Sequence, residues 1–234
     1  MRKIIFLLSL VAITTSCMDR FKEQNDRYVS YGNLKSGSPD WYIFSDKGNR
    51  LNIVANEVAG FELKEDLRVV AKYSIVGDPI DTVYNIHIYE IEKVLCKDPL
   101  TPSLLSQTKI DSLGRDPVNI IEAWFGGKKY LNITFELLRH DANKAHHVNL
   151  VLDEEETTEN KLVFEFRHNA FNDLTYYNAY GRVSYDISSY IPANLTKIDV
   201  TLKWTDYYMI DRSMTGTFYL PANNSGHVVT SEVK

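Results

Sequence analysis

The stretch VYNIHIYEIEKVL, residues 83–95, has the clearest periodicity in the chain, and its period is two. Ile86 and Ile88 fall on one face of an extended backbone, whereas Tyr89 and Ile91 fall on the other. No helical spacing of the apolar residues competes with this alternation. The stretch therefore predicts a long β-strand.

Shorter segments with the same alternation precede this strand from Tyr28 onward. Residues 41–44 and 50–54 are separated by the Gly-containing turn sequence SDKGN, and this order is typical of a β-hairpin. Residues 67–76 predict a further strand, which ends at a Gly-Asp-Pro sequence. About five strands in about 70 residues favour a small barrel or sandwich, so we place a first β-domain at residues 28–96.

Residues 97–117 interrupt the pattern with three prolines and one glycine. We interpret them as an inter-domain linker that contains one helical turn. Some seven short strand segments follow, separated by turn signals such as GGKK at residues 126–129. They predict an antiparallel β-sandwich at residues 118–234, in which Phe171–Asn178 supplies one helical turn. The predicted fold class is therefore all-β.

The first residues, MRKIIFLLSLVAITTSC, have the layout of a secretory signal peptide. Two charges are followed by an apolar run of about 10 residues, roughly half the length that a membrane-spanning helix needs. A cysteine directly after small residues predicts a lipoprotein signal, in which residues 1–16 are removed and Cys17 is acylated. Residues 17–27 would then form a short polar tether that holds the first domain close to a membrane.

Charge and cysteine content narrow the class of protein. The formal net charge is -5, and the loss of Arg2 and Lys3 with the signal peptide makes it -7. A mildly acidic chain without a basic stripe is a poor partner for nucleic acid, so we expect no nucleic-acid binding. With Cys17 acylated, Cys96 is the one remaining cysteine, and we expect it to be a small buried hydrophobic residue.

One histidine-rich segment is a candidate metal site, but its spacing favours ordinary polar structure. His140, Asp141, His146 and His147 lie close together in the sequence. Adjacent His146 and His147 would point to opposite faces of a strand, so they do not easily bind one ion. His168 would complete a site only if the strand register brought it near. We therefore expect no metal.

Other candidate sites are weaker still. The acidic run DEEE at residues 153–156 lacks the spaced ligands and the glycine of a calcium loop. The sequence contains no G-x-S-x-G elbow and no H-E-x-x-H helix motif. We therefore predict no cofactor, no catalytic residues and no enzymatic activity.

Two pairs of adjacent tyrosines are the candidate binding residues: Tyr176 with Tyr177, and Tyr207 with Tyr208. Neighbouring side chains of a strand point to opposite faces, so each pair directs one ring outward. Exposed aromatic rings are typical anchors of protein interfaces. Aromatic rings of sandwich strands, such as Trp124, pack in the core more often, although they can also stack on sugars.

Several segments of the chain resemble the NigD-like lipoproteins of Bacteroidetes. The most specific part of the resemblance spans residues 116–190, with DPVNIIEAWFGGKKYLNITFELL, HHVNLVLDEE, LVFEFRHNAFNDLTYY and GRVSYDISSY. The resemblance implies an OB-like N-terminal barrel at residues 28–96 and a C-terminal β-sandwich. It also implies the outer membrane of the cell envelope. The family takes its name from a bacteriocin operon, which implies an immunity-like role but no established catalytic or binding residues.

These observations together predict a lipid-anchored envelope protein that acts as a non-catalytic binding module. We expect it to contact the membrane through Cys17 and to bind another envelope protein. The alternative is a carbohydrate-binding lipoprotein of a glycan-uptake system. Because Asp19 is followed by the bases Arg20 and Lys22 rather than by an acidic patch, we favour the periplasmic face of the outer membrane over the cell surface.

Overall fold

The computed structural model describes residues 27–37, 40–220 and 232–233, so the predicted signal peptide and Cys17 lie outside it. The first strands are β1 (Tyr28–Lys35), β2 (Tyr42–Ser45), β3 (Arg50–Asn56), β4 (Arg68–Ile75) and β5 (Val83–Lys93). The later strands are β6 (Leu95–Lys97), β7 (Asn119–Gly126), β8 (Tyr130–Arg139), β9 (His147–Leu152), β10 (Lys161–Asn169), β11 (Tyr177–Asp186), β12 (Lys197–Thr205), β13 (Asp211–Tyr219) and β14 (Glu232–Val233). Within the described ranges, no helix is long and apolar enough to cross a membrane.

The first five strands close into a barrel in the order β1-β2-β3-β5-β4. Strand β1 pairs with both β2 and β4, which closes the barrel, and β3 pairs parallel to β5. The predicted hairpin is present, because Ile43 of β2 lies opposite Leu51 of β3. Both side chains are buried with Leu34 in the barrel core. The expected OB-like barrel is confirmed.

The strand that shows the clearest alternation contains a β-bulge. In the pairing of β4 with β5, Lys72 lies opposite Glu90 and Tyr73 lies opposite Ile88, so one residue of β5 is extra. Such an extra residue reverses the faces of all positions that follow it. Ile91 is therefore buried in the same core as Ile88, and the prediction that it faces the opposite side was wrong.

The second half of the chain forms a β-sandwich, as predicted. One sheet has the order β14-β13-β12-β10-β9, and the other has the order β6-β11-β8-β7. Most pairs are antiparallel, whereas β10–β12 and β6–β11 are parallel. The inward side chains of both sheets form one core around Leu150, Phe164, Val183 and Ile187.

The segment between the two β-units is short but not structureless. A helix, α1, spans Gln107–Asp111, which confirms the predicted helical turn, and the Ser106 hydroxyl caps it by accepting a hydrogen bond from the Lys109 amide. Leu100 bridges to Val151 at the edge of the five-stranded sheet. The domain boundaries given above remain predictions.

Two local expectations were wrong. Cys96 is exposed rather than buried, because the chain leaves the barrel after Val94 and continues as β6, an edge strand of the four-stranded sheet. Residues 171–178 form no helical turn. Phe171 and Asn172 have positive φ angles of 50° and 59°, which make a tight turn, and β11 begins soon afterwards at Tyr177.

A buried arginine joins the barrel to the sandwich. Arg68 of β4 forms a two-pronged ion pair with Asp46, with Nη1–Oδ1 and Nη2–Oδ2 distances of 2.5 and 2.6 Å. It also donates to the side chains of Asn132 (2.8 Å) and Ser184 (3.1 Å), which belong to the four-stranded sheet. Its guanidinium carbon lies 4.2 Å from the centre of the Tyr130 ring. We call this set of contacts the junction cluster.

The sandwich core contains a hydroxyl group without a partner, and it leads to a prediction. Tyr185 is fully buried, and its Oη has no hydrogen-bond partner among the described residues. Burial raises the pKa of this hydroxyl well above its ordinary value. Because an unpaired buried hydroxyl costs free energy, we expect Tyr185→Phe to raise the free energy of unfolding by about 1 kcal/mol in urea titrations.

Tyr190 is the matched control for that substitution. Its hydroxyl donates to the Pro99 carbonyl (3.1 Å) and lies 3.0 Å from Thr101 Oγ1. Tyr190→Phe should therefore lower the free energy of unfolding by about 1 kcal/mol. A loss of stability in Tyr185→Phe of the same size as in Tyr190→Phe would contradict the prediction.

Candidate functional site

Three loops meet at one end of the sandwich. They connect β8 to β9 (residues 140–146), β10 to β11 (residues 170–176) and β12 to β13 (residues 206–210). Parallel β10 and β12 end side by side, and Arg139 at the end of β8 lies opposite Tyr177 at the start of β11. The register therefore brings all three loops to the same end, which we call the loop end.

The loop end exposes a large number of apolar side chains. Tyr176 and Tyr208 are 80% and 82% exposed, and Tyr180 is 70% exposed. The loop-end patch consists of these three residues and Phe171, Leu174, Tyr177, Met209 and Ile210. Grouped exposed apolar residues are unusual on a monomeric protein and mark interaction surfaces.

The two tyrosines of each predicted pair differ in exposure. Tyr176 and Tyr208 are largely exposed, whereas Tyr177 is 39% exposed and Tyr207 is half-buried. The Tyr207 Oη is buried, and this burial raises the pKa of Tyr207, an effect to which Glu136 and Tyr180 add. A role of these four tyrosines in binding remains a prediction.

A single buried carboxylate joins two of the loops. Asp173 accepts hydrogen bonds from the backbone amides of His140 (3.0 Å), Asp141 (3.3 Å) and Leu174 (3.0 Å). It also pairs with Nε2 of His146 at 3.0 Å. Burial alone would raise the pKa of Asp173, but these hydrogen bonds outweigh it and hold the pKa well below its ordinary value.

The same network continues into the sandwich through a second histidine. His146 Nδ1 lies 2.9 Å from His168 Nε2, and His168 Nδ1 lies 3.1 Å from the Pro117 carbonyl oxygen. His146 Nε2 faces the Asp173 carboxylate and His168 Nδ1 faces a carbonyl oxygen. Both oxygens only accept hydrogen bonds, so these two ring nitrogens are the donors. Burial lowers the pKa of the His168 ring.

The buried His168 ring makes stability depend on pH. The groups that face it are His146, Asp116 and the Pro117 carbonyl. Because its folded-state pKa is lowered, the unfolded chain binds more protons below about pH 6.5. The contribution of His168 is therefore complete above that pH and is lost as the pH falls.

We expect this dependence in urea unfolding at about pH 7.5 and about pH 5. His168→Gln should show a smaller fall in the free energy of unfolding between the two pH values than the unmodified chain. His140→Gln, which changes an exposed ring at the same end, should keep the original fall. Equal falls in both variants would show that His168 does not cause the dependence.

The other candidate metal ligands do not converge with this network. His140 packs edge-on against Tyr176, and His147 packs edge-on against Phe171. In the part of the chain that the structure describes, no group of three His, Cys, Asp or Glu side chains could hold a metal ion. The strand register does bring His168 to His146, but the two rings bond to each other.

The acidic run forms an ordinary surface turn. Asp153 and Glu156 both pair with Lys203, at 3.1 and 2.6 Å. Glu154 accepts hydrogen bonds from the amide and the hydroxyl of Ser103. These contacts account for Asp153, Glu154 and Glu156 without a ligand.

The turn that carries Tyr208 is also fixed from inside. The Asp206 carboxylate is buried and accepts from the amides of Tyr208 (2.8 Å) and Ile210 (3.0 Å) and from Arg212 Nε (2.7 Å). Burial would raise the pKa of Asp206, but the hydrogen bonds outweigh that effect and lower it. The polar groups of the loop end thus hold the loops, and apolar groups face outward.

Sequence reasoning missed much of this end. Asp173 was not singled out, because an aspartate in a turn sequence gives no sign that four donors converge on it. Tyr180 was also missed. It lies three residues after Tyr177 in a strand, and this odd spacing places the two side chains on opposite faces, which is a usable signal. Its exposure follows from its position on the outer face of the four-stranded sheet, where it lies opposite Glu136.

Comparison with known proteins gives a consistent picture. Residues 101–218 match the family model for the NigD-like C-terminal beta sandwich domain. A protein described as toxin-related from Parabacteroides distasonis has a similar structure, with 25% identity, a TM-score of 0.68 and coverage of 83% of this chain and 94% of that one. A NigD-like immunity protein from Bacteroides caccae shows 22% identity and a TM-score of 0.62, with coverage of 80% and 90%. No curated protein matches the chain.

Proposed function

We propose that this chain, which belongs to the NigD-like family, is a lipid-anchored, non-catalytic binding protein of the cell envelope. The observation that carries the proposal is the loop-end patch, in which eight apolar side chains are exposed, six of them on two loops held by buried carboxylates and two on strand β11. Its occupant is another envelope protein. The names of the similar immunity and toxin-related proteins support an immunity-like role.

The chemistry of the patch favours a protein partner over a glycan. Recognition of a sugar needs polar groups beside the aromatic rings, to hydrogen-bond its hydroxyls. At the loop end, the carboxylates of Asp173 and Asp206 are already occupied by backbone amides and by His146 and Arg212. The exposed side chains of the patch itself are apolar and aromatic, the composition of the centre of a protein interface.

The charges around the patch fit a folded protein rather than a polyanion. His140, Asp141 and Lys144 lie in one loop, and Asp211 and Arg212 follow another. Both signs are present, so no single charge dominates the rim. A mixed polar rim around an apolar centre is the usual anatomy of a protein–protein interface.

The buried histidines support a structural rather than a catalytic role. In a nucleophilic site, the ring nitrogen of a histidine faces a serine, threonine or cysteine. Here the chain of hydrogen bonds from Asp173 through His146 and His168 ends on the Pro117 carbonyl oxygen. A carbonyl oxygen can neither attack a substrate nor pass on a proton.

Site-specific photocrosslinking tests the patch. A photoreactive phenylalanine analogue replaces Tyr176 or Tyr208 in the bacterium that makes the chain, and Tyr219 is the control. Tyr219 is also an exposed tyrosine, but it lies at the opposite end of the sandwich. We expect the same protein to be crosslinked from Tyr176 and Tyr208 and not from Tyr219.

Binding between the purified proteins then completes the test. Because exposed aromatic residues are frequent interface anchors, Tyr208→Ser should weaken the complex at least about tenfold. Tyr219→Ser should leave the affinity unchanged. Crosslinking to polysaccharide alone, or equal crosslinking from Tyr219, would refute the protein partner.

The proposed lipid anchor rests on the sequence around Cys17. Several acyl chains on one cysteine contribute about 0.8 kcal/mol per buried CH₂ group, enough for stable attachment. We expect Cys17→Ser to move the chain from the membrane fraction to the soluble fraction of lysed cells. Cys96→Ser, which changes the other cysteine, should leave it in the membrane fraction.

We place the protein on the periplasmic face of the outer membrane. The basic residues Arg20 and Lys22 close to the acylated cysteine support this orientation. Protease added to intact cells should spare the chain and degrade it once the outer membrane is permeabilised. Cleavage in intact cells would place it on the cell surface.

A further inference from the structure

A cleft runs along the junction between the barrel and the sandwich. Its volume is about 460 Å³, within the range of small-molecule sites. Val29 and Val70 of the barrel form one wall, and the outer face of strands β7, β8 and β11 forms the floor. A smaller cavity of about 280 Å³ adjoins it and shares Thr134 and Arg182.

The cleft combines an aromatic pair with hydrogen-bonding side chains. The rings of Tyr31 and Trp124 meet edge to face, with centroids 4.9 Å apart. The register of the floor places Glu122 opposite Thr134, and Thr134 opposite Arg182, so the three polar groups form one row across the sheet. Tyr31, Trp124 and this row all line the same cavity.

Two of these polar groups have unused hydrogen-bonding capacity. Glu122 is exposed and has no ion-pair or hydrogen-bond partner within the described residues. Arg182 donates from Nη1 to Glu92 at 2.8 Å, whereas its Nη2 and Nε have no partner in that part of the chain. A carboxylate acceptor on β7 and a guanidinium donor on β11 therefore flank Thr134 of β8.

The charges of the cleft nearly cancel. Asp46 is neutralised by Arg68, and Glu92 pairs with Arg182. The remaining charges are one carboxylate, Glu122, and one ammonium group, Lys47. Such a site offers little attraction to a phosphate or to a polycation.

From this geometry we propose that the junction cleft is a second binding site, and that its ligand is a neutral saccharide. A sugar ring has an apolar C–H face that packs on an aromatic ring, and hydroxyls that both donate and accept. The Trp124 indole supplies the aromatic surface. Glu122 accepts from hydroxyl groups, and Arg182 and Thr134 contact others.

A groove on the other sheet provides a useful contrast. It also contains a tryptophan, Trp204, beside Glu165, Lys203 and Arg212. Its charged groups are paired with each other or with their neighbours, as Glu165 is with Arg167 at 2.6 Å. In that groove Asp153 and Glu165 are paired with cations, and Asp211 accepts a hydrogen bond from the Thr205 hydroxyl.

Nuclear magnetic resonance of the tryptophan indole groups tests the proposal. The sample is the ¹⁵N-labelled chain beginning at Met18, which contains every residue that the structure describes, and Trp124→Phe assigns the Trp124 signal. Maltose, cellobiose, lactose and N,N′-diacetylchitobiose are added separately, with glycerol as a hydroxyl-rich control. We expect at least one disaccharide to shift the Trp124 signal saturably, whereas the Trp41 and Trp204 signals and the glycerol spectra stay unchanged.

Substitutions separate binding from folding. Glu122→Gln changes an exposed side chain and should weaken the affinity at least about tenfold without changing the unfolding midpoint. Glu62→Gln, an exposed carboxylate on the barrel outside the cleft, is the matched control and should bind like the unmodified chain. The loop-end variant Tyr208→Ser should also keep full saccharide binding, which separates this proposal from that of the protein partner.

Three results would overturn the saccharide site. The first is the absence of a saturable Trp124 shift with all four disaccharides. The second is a shift of the same size with glycerol, and the third is unchanged affinity in Glu122→Gln.

Discussion

Replacing Arg68 with methionine is expected to lower the free energy of unfolding by about 3–5 kcal/mol, because it leaves a buried carboxylate without its partner. The Arg68 side chain is 1% exposed, and that of Asp46 is 11% exposed. Methionine fills a similar volume but supplies none of the donors that Asp46, Asn132 and Ser184 now accept from. Each of those acceptors would lose a hydrogen bond in a site with little access to water.

The position of the junction cluster enlarges this effect. Asp46 and Arg68 belong to the barrel, whereas Asn132 and Ser184 belong to the sandwich. The substitution therefore weakens the barrel core and the contact between the two units. We expect the loss in urea unfolding followed by tryptophan fluorescence, since Trp124 lies beside the junction.

Lys72→Met is the matched control, because it changes a cation of the same strand. Lys72 pairs with Glu90 at 3.0 Å on the surface, where both side chains are largely solvated. Exposed pairs of this kind contribute at most about 1 kcal/mol, so the variant should lose no more than that. An equally small loss in Arg68→Met would contradict the assignment of the junction cluster.

Removing the charge of Asp46 as well tests the cause of the loss. In Arg68→Met with Asp46→Leu, no buried charge remains unpaired, and part of the lost stability should return. The stability losses of Arg68→Met and Asp46→Leu are also measured separately. If the double variant lost the sum of these two losses, the ion pair would not be the cause.

Strand periodicity predicted the two β-units well, because burial of one face imposes alternation on the sequence. The GGKK sequence at residues 126–129 was predicted to separate two strand segments of the sandwich, and β8 begins directly after it at Tyr130 with alternate side chains in the core. Ile91 shows the limit of this reasoning. Whether a strand contains a bulge depends on how its partner strand pairs, and the sequence of β5 alone does not show it.

The junction cluster could not have been predicted from local sequence. Arg68 follows Lys64, Glu65 and Asp66, so it looks like one more residue of a charged surface turn. Its burial depends on Asn132 and Ser184, which are 64 and 116 residues away in sequence. The junction cluster also requires Gly126, because a side chain at that position would overlap the Asp46 carboxylate. The local sequence does not reveal this requirement either.

Only part of the candidate site could be predicted from the sequence, because the rest depends on contacts between distant segments. Tyr176 and Tyr208 are both largely exposed, but strand alternation is not the reason, because Tyr207 and Tyr208 lie in the turn between β12 and β13 and Tyr176 precedes β11. The convergence of donors on Asp173 depends on the packing of two loops that strand patterns do not describe. The bond between His146 and His168 depends on the register of β9 with β10, in which His168 lies opposite Val148.

Asp173→Ala is expected to lower the free energy of unfolding by about 2–4 kcal/mol and to loosen the loops at residues 140–146 and 170–176. The carboxylate accepts from three backbone amides, and it pairs with Nε2 of the His146 ring. Alanine would leave all of these donors unsatisfied in a buried site. Asp211→Ala is the control, since Asp211 is exposed at the same end and accepts from the Thr205 hydroxyl.

Hydrogen exchange distinguishes this mechanism from a general loss of stability. In Asp173→Ala, the amides of His140, Asp141 and Leu174 should exchange faster than the loss of global stability explains, because they lose their acceptor. The amides of Tyr208 and Ile210 are bound by Asp206 instead and should change only with global stability. Uniformly faster exchange would mean that Asp173 has no specific effect on its two loops.

The same variant links the buried network to the proposed interface. Tyr176 lies in the loop that Asp173 holds, whereas Tyr208 lies in the turn that Asp206 holds. A partner that binds preorganised aromatic anchors loses affinity when one of them becomes mobile. In Asp173→Ala, crosslinking from Tyr176 should therefore fall more than crosslinking from Tyr208. An equal fall at both positions would indicate that the interface responds to global stability alone.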